Sequence, residues 1–204
     1  AKAGLITVDE RQGAYDKFWN RVMFPIMDAN SRVIGFGGRV MGDGKPKYLN
    51  SPETMIFDKS RNLYGLNRAR STKKSYFLLC EGYMDVISLH QAGFTNAVAS
   101  LGTALTPGHA SLIKRYVQEV YLTYDSDEAG TKAALRAIPI LRDVGITARI
   151  IRMEPIKIRM SLSRIWEPRL LKSGSARRGM DSCSAWRFLR RIMTCTLRKG
   201  RLIS

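Results

Sequence analysis

Residues 76–85 read YFLLCEGYMD, an apolar run that ends in the carboxylates Glu81 and Asp85. Consecutive apolar residues without alternation are typical of a strand that is buried on both faces of a parallel sheet. Helical spacing begins at Asp85 and stops before Gly93, where a helix would end. The segment therefore predicts a buried strand followed by a helix, with acidic side chains at the junction.

The same alternation of strand and helix continues downstream. Further strands are predicted at 97–100, 119–125 and 147–153, and further helices at 107–117 and 128–144. Thr106 is the expected N-cap of the helix that begins at Pro107. Because each connection has the length of a helix, the sequence predicts an α/β fold with a four-stranded parallel sheet flanked by helices.

The upstream third has a different pattern, of strands and turns. Strands are predicted at 22–27 and 33–40, joined by a turn at 28–31. A glycine-containing turn at 42–44 then leads into an extended segment at 46–50. We expect a mixed α+β subdomain to precede the parallel sheet.

Four carboxylates lie at the predicted strand ends. Glu81 and Asp85 follow the first strand, and Asp125 and Asp127 follow the third. Ligands bind at the carboxyl ends of parallel strands, and carboxylate oxygens suit Mg²⁺, so we expect all four within reach of one metal ion. Such a cation would neutralise a triphosphate and orient the displacement of pyrophosphate. Alternatively, the Asp-x-Asp pair is a turn and helix N-cap, and Glu81 is either a metal ligand or a general base.

Composition excludes several classes of protein. The chain has 204 residues, 34 Lys+Arg against 17 Asp+Glu, and a net charge of +17, which favours nucleic acid as a partner. It has no apolar run of membrane-spanning length and no signal-peptide core, and its first residue suggests an internal fragment. Cys80, Cys183 and Cys195 are too far apart for a structural zinc site, so a reduced, cytoplasmic setting is expected.

Several motifs together resemble the RNA polymerase core of bacterial DnaG-type DNA primases. EGYMD at 81–85, ASLGT at 99–103 and YDSDEAG at 124–130 are similar to motifs of that family's Toprim domain. RVMFPI at 21–26, VIGFGGR at 33–39, PKYLNSPET at 46–54 and LYGL at 63–66 resemble its N-terminal polymerase subdomain. Toprim motifs alone would also admit topoisomerases and nucleases, but the PKYLNSPET block favours a primase.

The resemblance implies a function and a set of site residues. A primase is a DNA-directed RNA polymerase that makes short RNA primers from NTPs on a single-stranded DNA template during replication, by metal-assisted nucleotidyl transfer. The family's functional positions match catalytic Glu81, metal-site Asp85, Asp125 and Asp127, and a nucleic-acid and nucleotide-binding groove at Arg39, Lys47 and Asn50. The alternative for Arg39 and Lys47 is a solvated surface charge.

The resemblance also implies cofactors, partners and boundaries. It implies Mg²⁺ or Mn²⁺ at the Toprim carboxylates, and zinc only in an upstream domain that this chain lacks. A replicative helicase would bind through a downstream domain that is also lacking, and no membrane is involved. The predicted units are an N-terminal polymerase subdomain at 1–72, a Toprim catalytic domain at 73–155 and an aberrant tail at 156–204. The alternatives are a Toprim nuclease or topoisomerase, and a catalytically inactive nucleic-acid-binding fragment.

The tail departs from the family. After Pro155 the family continues with Asp-Pro-Asp-Glu, its third acidic motif, whereas residues 156–164 read IKIRMSLSR. Residues 156–204 hold 13 basic and 2 acidic side chains and are expected to be poorly ordered. Codons that encode residues 156–168 can be regrouped after two bases to read KDPDEFIKNLGA, which contains the missing motif. We therefore interpret the tail as the product of a frameshift, with a genuine basic extension as the alternative. Because the third acidic motif is missing, we expect the enzymatic activity of this chain to be impaired.

Overall fold

The computed structural model describes residues 4–11, 13–125 and 127–151, so the predictions for the tail at 156–204 lie outside the described residues. The strands are β1 (Ile6–Asp9), β2 (Gly13–Asp16), β3 (Arg21–Met27), β4 (Val33–Val40), β5 (Tyr48–Asn50), β6 (Tyr76–Cys80), β7 (Ala97–Ala99), β8 (Glu119–Leu122) and β9 (Thr147–Ile150). The helices are α1 (Leu66–Ala69), α2 (Tyr83–Gln91), α3 (Pro107–Lys114) and α4 (Glu128–Asp143).

The predicted parallel sheet is confirmed. Its four strands have the order β7-β6-β8-β9, and every neighbouring pair is parallel. Helices cover both faces, which explains the unbroken apolar run of β6. Phe77 and Leu79 pack in one cluster with residues of α3 and α4, while Leu78 and Cys80 pack with residues of α2 on the other face. Cys80 is fully buried and packs as a small hydrophobic residue.

The helix starts follow the capping residues. Thr106 caps α3 by accepting a hydrogen bond from the His109 N–H at 3.1 Å, and Pro107 is the first helical residue, as predicted. Helix α2 begins at Tyr83, two residues before the predicted start, where the Asp85 carboxylate accepts a hydrogen bond from the Gly82 N–H at 3.2 Å. Strand β8 ends at Leu122, so Asp125 lies beyond the strand rather than within it.

The N-terminal sheets are antiparallel. Strands β3, β4 and β5 form one sheet in that order, close to their predicted bounds. The β1–β2 hairpin was not predicted, because its two four-residue strands are mostly exposed and too short to establish an apolar pattern. The short helix α1, which begins after Gly65, was missed because four residues are too few to show helical periodicity.

Three kinds of contact join the N-terminal part to the parallel sheet. Leu101, from the loop after β7, is buried against Ile26 and Phe57. Tyr64 and Ala99 exchange two backbone hydrogen bonds, of 2.8 and 3.1 Å, which add a bridge at the β7 edge. Buried His109 contacts the carbonyl oxygens of residues 59 and 62 through Nε2, at 2.7 and 3.1 Å. These contacts hold the N-terminal part against the parallel sheet and its helix α3.

Candidate active site

Strands β6 and β8 bring two predicted site residues together. Glu81 directly follows β6, Asp125 follows β8, and the two strands are parallel neighbours, so both residues lie at the same sheet edge. The backbone N–H of Asp125 donates a hydrogen bond to Oε1 of Glu81 at 3.2 Å. This bond orients the glutamate carboxylate across the ends of the two strands.

The first turn of α4 packs against this pair. A Cβ atom on Gly130 would lie 2.7 Å from Oε1 of Glu81 and 2.2 Å from the carbonyl oxygen of Asp125, so only glycine allows this approach. Asp127 caps the same helix by accepting a hydrogen bond from the Gly130 N–H at 2.8 Å. The positive end of the α4 dipole therefore faces the carboxylates.

Negative charge accumulates around Glu81. Partial burial raises the pKa of the Glu81 carboxyl group, and the charges of Asp125, Asp127 and Asp85 raise it further. The hydrogen bond from the Asp125 backbone opposes this rise. A glutamate with a raised pKa, surrounded by three further carboxylates, is suited both to proton transfer and to binding beside a divalent cation.

The carboxylates fit a divalent cation in their chemistry, since they are hard oxygen donors whose mutual repulsion a cation relieves. Their present geometry serves the helix starts: Asp127 caps α4, as the alternative interpretation of the Asp-x-Asp pair held, and Asp85 accepts a hydrogen bond from the Gly82 N–H. Within the described residues, no group of three or more His, Cys, Asp or Glu side chains is arranged so that it could hold a metal ion. The expected four-carboxylate set is therefore not preassembled, and its metal role stays a prediction.

Two of the predicted groove residues lie beside one aromatic ring. The guanidinium carbon of Arg39 is 5.9 Å from the centre of the Tyr48 ring, and Nζ of Lys47 is 6.0 Å from it. Lys47 is exposed and Arg39 half-buried. Tyr48 in turn packs edge-on against Tyr83, with 5.6 Å between ring centres, which connects this basic surface to α2 two residues after Glu81.

Asn50, the third predicted groove residue, contacts the loop after β7. Its Nδ2 donates a hydrogen bond to the carbonyl oxygen of Leu101 at 3.1 Å, while its buried Oδ1 has no partner among the described residues. Gly102, which has a left-handed φ of 75°, would place a Cβ atom 3.0 Å from Nδ2. Asn50 therefore connects β5 to this loop through its side-chain amide.

Sequence reasoning missed Tyr83, which fills the junction between the two sheets. Its side chain is 5% exposed, and its ring packs against Phe24, Tyr48 and Tyr64 at centroid distances of 5.1, 5.6 and 5.5 Å. Burial is the main cause that raises the pKa of its phenol. A Cβ atom on Gly37 would lie 3.1 Å from the ring, so the glycines within β4 were the available signal.

The fold and the paired strand ends define a Toprim-type domain joined to an antiparallel subdomain. Residues 1–70 match the model of the DNA primase catalytic core, N-terminal domain, and residues 78–157 match the Toprim-like model. The chain belongs to the family of bacterial DnaG-type DNA primases, as part of their catalytic core. The resemblance seen in the sequence is confirmed.

Relatives and solved structures agree with this assignment. The chain is 55% identical over 153 residues to the DNA primase of Clostridium acetobutylicum, a match that covers 74% of this chain and 26% of that protein. It is similar to the Escherichia coli primase catalytic core, with 44% identity, a TM-score of 0.71 and coverage of 83% of this chain and 56% of that one. It is also similar to the DnaG primase catalytic domain bound to ssDNA, with 42% identity, a TM-score of 0.72 and coverage of 83% of this chain and 56% of that one. The chain spans about a quarter of the length of the curated relatives it matches.

Proposed function

We propose that the chain is part of a DNA primase, which makes short RNA primers from NTPs on single-stranded DNA during replication. The observation that carries this proposal is the contact between Glu81 and Asp125 at the sheet edge, with three aspartates that raise the pKa of Glu81. A DNA-directed RNA polymerase needs an acid or base and a place for divalent cations at this position. The primase names of the relatives support the same activity.

Glu81 would act on the proton of the attacking hydroxyl group. In each step the 3′-hydroxyl oxygen forms a bond to the α-phosphorus of an NTP, the bond to the pyrophosphate oxygen breaks, and the hydroxyl proton passes to the Glu81 carboxylate. The Asp125 N–H orients that carboxylate for the transfer. Asp85, Asp125 and Asp127 would hold Mg²⁺ or Mn²⁺, which would supply charge neutralisation at the triphosphate.

The basic surface would guide nucleic acid towards this edge. Arg39 and Lys47 beside Tyr48 offer phosphate contacts that are independent of sequence and weaken with salt. Asn50 is included in the proposed groove on the family resemblance, and its hydrogen bond to the Leu101 carbonyl fixes its place beside this surface. One solved relative is a DnaG catalytic domain bound to ssDNA, which supports a single-stranded template as the partner.

We also propose that residues 156–204 arise from a frameshift and that the chain is impaired without the third acidic motif. The Toprim-like match ends at residue 157, next to the point where the acidic motif is expected, which supports this interpretation. A continuous reading frame in the gene, with similar tails in relatives, would contradict it. The unit boundaries at 72 and 155 belong to the same proposal.

The remaining partners follow from the family. A replicative helicase and a zinc-binding domain would act with the catalytic core in the cytoplasm, at the replication fork. One solved relative, from Aquifex aeolicus, comprises zinc-binding and RNA polymerase domains. In the part of the chain that the structure describes, no helix is both long and apolar enough to cross a bilayer.

Primer synthesis tests the proposal. Three proteins are compared on single-stranded DNA with NTPs, with and without Mg²⁺ or Mn²⁺: the chain as it is, a chain with the frame restored after Pro155 and completed downstream, and the completed chain with Glu81→Gln. We expect little synthesis from the first, metal-dependent synthesis from the second, and at least a hundredfold loss in the third, on the order of a missing acid or base. DNA cleavage by the completed chain instead of synthesis would favour the Toprim nuclease or topoisomerase, and DNA binding alone an inactive fragment.

A further inference from the structure

Trp19 is the most exposed of the aromatic side chains that the structure describes. It lies in the turn between β2 and β3, and 77% of the residue is accessible to solvent. Indole is the largest apolar side chain, so leaving it in water forgoes much hydrophobic stabilisation. An exposed indole of this kind favours a binding partner that covers the ring.

The turn that presents Trp19 is anchored on both sides. Phe18 is buried, and a Cβ atom on Gly38 would lie 2.7 Å from its ring. On the other side, Asn20 pairs with Met41: its carbonyl accepts from the Met41 N–H at 3.0 Å, and its Nδ2 donates to the Met41 carbonyl at 3.4 Å. The indole is therefore held out from a fixed backbone, so a partner would meet a preorganised surface.

The surroundings of Trp19 are basic. Strand β3 begins, β4 ends and β5 begins at the same end of the antiparallel sheet, and Trp19 lies two residues before that end. Residues 15–21 and 39–48 contribute five basic and two acidic side chains there. The Arg39–Tyr48–Lys47 group lies at this end, because Arg39 pairs with Tyr48 and Val22 across the sheet.

We infer that Trp19 is a base-stacking platform for single-stranded DNA at the outer end of the basic surface. An exposed indole within a cluster of cations matches the chemistry of a single strand, whose bases offer flat apolar faces and whose phosphates are negative. The surplus of positive charge favours nucleic acid over an apolar protein partner. The inference rests on the proposed function, and adds a residue that binds bases rather than phosphates.

Fluorescence and binding test the inference in the full chain. With Trp166→Phe and Trp186→Phe, Trp19 is the remaining indole, and we expect an oligo-dT strand to quench its emission. In the same background, Trp19→Ala should weaken oligo-dT binding about 5- to 150-fold, while Trp19→Phe, which keeps a ring, should weaken it much less. Because no phosphate contact is lost, the dependence of log K on log salt should keep its slope.

Controls separate the possible results. Leu135→Ala removes another exposed apolar side chain, on α4, and should leave affinity unchanged. Oligo-dT binding with neither indole quenching nor loss in Trp19→Ala would overturn the inference while leaving the proposed function intact. A change in oligomeric state on Trp19→Ala with unchanged DNA affinity would assign the ring to a second copy and also overturn it. No oligo-dT binding by any variant would overturn both the inference and the proposed function.

Discussion

The proposed role of Arg39 and Lys47 depends on their neighbours. Each lies about 6 Å from the centre of the Tyr48 ring, and Tyr48 contacts Tyr83, two residues after Glu81. This placement suits phosphate contacts, and a solvated surface charge is the alternative that a salt series tests. Substitution of these two side chains therefore measures their contribution to nucleic-acid binding.

Replacing both cations should change the salt dependence of binding. We expect Arg39→Ala with Lys47→Ala to weaken single-stranded DNA binding and to reduce the slope of log K against log salt by about 0.7 for each lost phosphate contact. Fluorescence anisotropy over a salt series measures this slope. Lys132→Ala, which removes an exposed cation from α4 that pairs with Glu128, is the control. An unchanged slope in the double variant would mean that the two residues are only surface charges.

At the level of elements, the start of α4 and the start of α3 each depend on one unusual residue. Gly130 allows α4 to approach Glu81 and Asp125, and His109 allows α3 to contact the segment at residues 58–62. In α3, Thr106 and His109 also pair reciprocally, since the Thr106 N–H donates to Nδ1 of His109 at 3.2 Å. Gly130 and His109 thus position their helices through contacts with backbone carbonyl groups, in addition to apolar packing.

Gly130→Ala should destabilise the chain although alanine favours helices. Helix propensity alone would stabilise by up to ~1 kcal/mol, but the added Cβ would lie 2.2 Å from a backbone oxygen. We expect the free energy of unfolding to fall by ~1–3 kcal/mol as α4 shifts away from Glu81. Urea unfolding measures the change, with Thr131→Ala in the same helix turn as the control. A net stabilisation would contradict the close approach.

His109 should make stability depend on pH. Burial holds the pKa of His109 below its usual value of 6.5, so the folded chain keeps the ring neutral while the unfolded chain takes up a proton. Its contribution is therefore fully present above pH 6.5 and is lost as pH falls from 6.5 through the lowered folded pKa. Half-buried His90 has a lowered pKa for the same reason and adds to the trend.

Unfolding experiments between pH 5 and 8 measure this effect. His109→Asn should show a shallower loss of stability on acidification than the parent chain, since one of two such histidines is gone. At pH 8 it should be less stable by ~1–3 kcal/mol, because the carbonyl groups of residues 59 and 62 lose their buried donor. Equal pH slopes in the two proteins would show that His109 does not titrate between the folded and unfolded states as argued.

On the scale of the whole molecule, the parallel sheet and the antiparallel sheet meet near the edge that carries Glu81 and Asp125. Leu101 and the Tyr64–Ala99 bridge join the N-terminal part to the parallel sheet, and Tyr83, two residues after Glu81, contacts Tyr48 of the basic surface. A metal site at this edge would draw its last ligands from the acidic motif that the family has after Pro155. The chain carries Lys157 and Arg159 there instead.

Restoring the reading frame after Pro155 should therefore strengthen Mg²⁺ binding. The restored KDPDE motif adds carboxylate ligands where the present segment has none, and each added hard oxygen ligand replaces a water on the cation and raises the affinity for Mg²⁺. Calorimetric titration with Mg²⁺ compares the two chains, and the Asp125→Asn form of the restored chain is the control. Equal affinity in the restored and original chains would contradict this account of the site.

Local patterns were sufficient for the parallel sheet, the capped start of α3 and the carboxylates at one edge. An unbroken apolar run, helix-length connections and an N-cap act within a few residues, and parallel strands necessarily bring their carboxyl ends to one side. The sequence therefore predicted that Glu81 and Asp125 would meet. Their separate functional roles remain predictions.

The tertiary structure alone decided which side chains fill the junction and which stay exposed. Tyr83 is buried because glycines of a distant strand make room for it, and His109 is buried because carbonyl groups almost 50 residues away accept its Nε2 hydrogen bond. Trp19 is exposed because Phe18 and Asn20, rather than the indole, anchor its turn. Such contacts join residues that are far apart in the chain. They stabilise the fold only after the two sheets have packed, so no local sequence pattern predicts them.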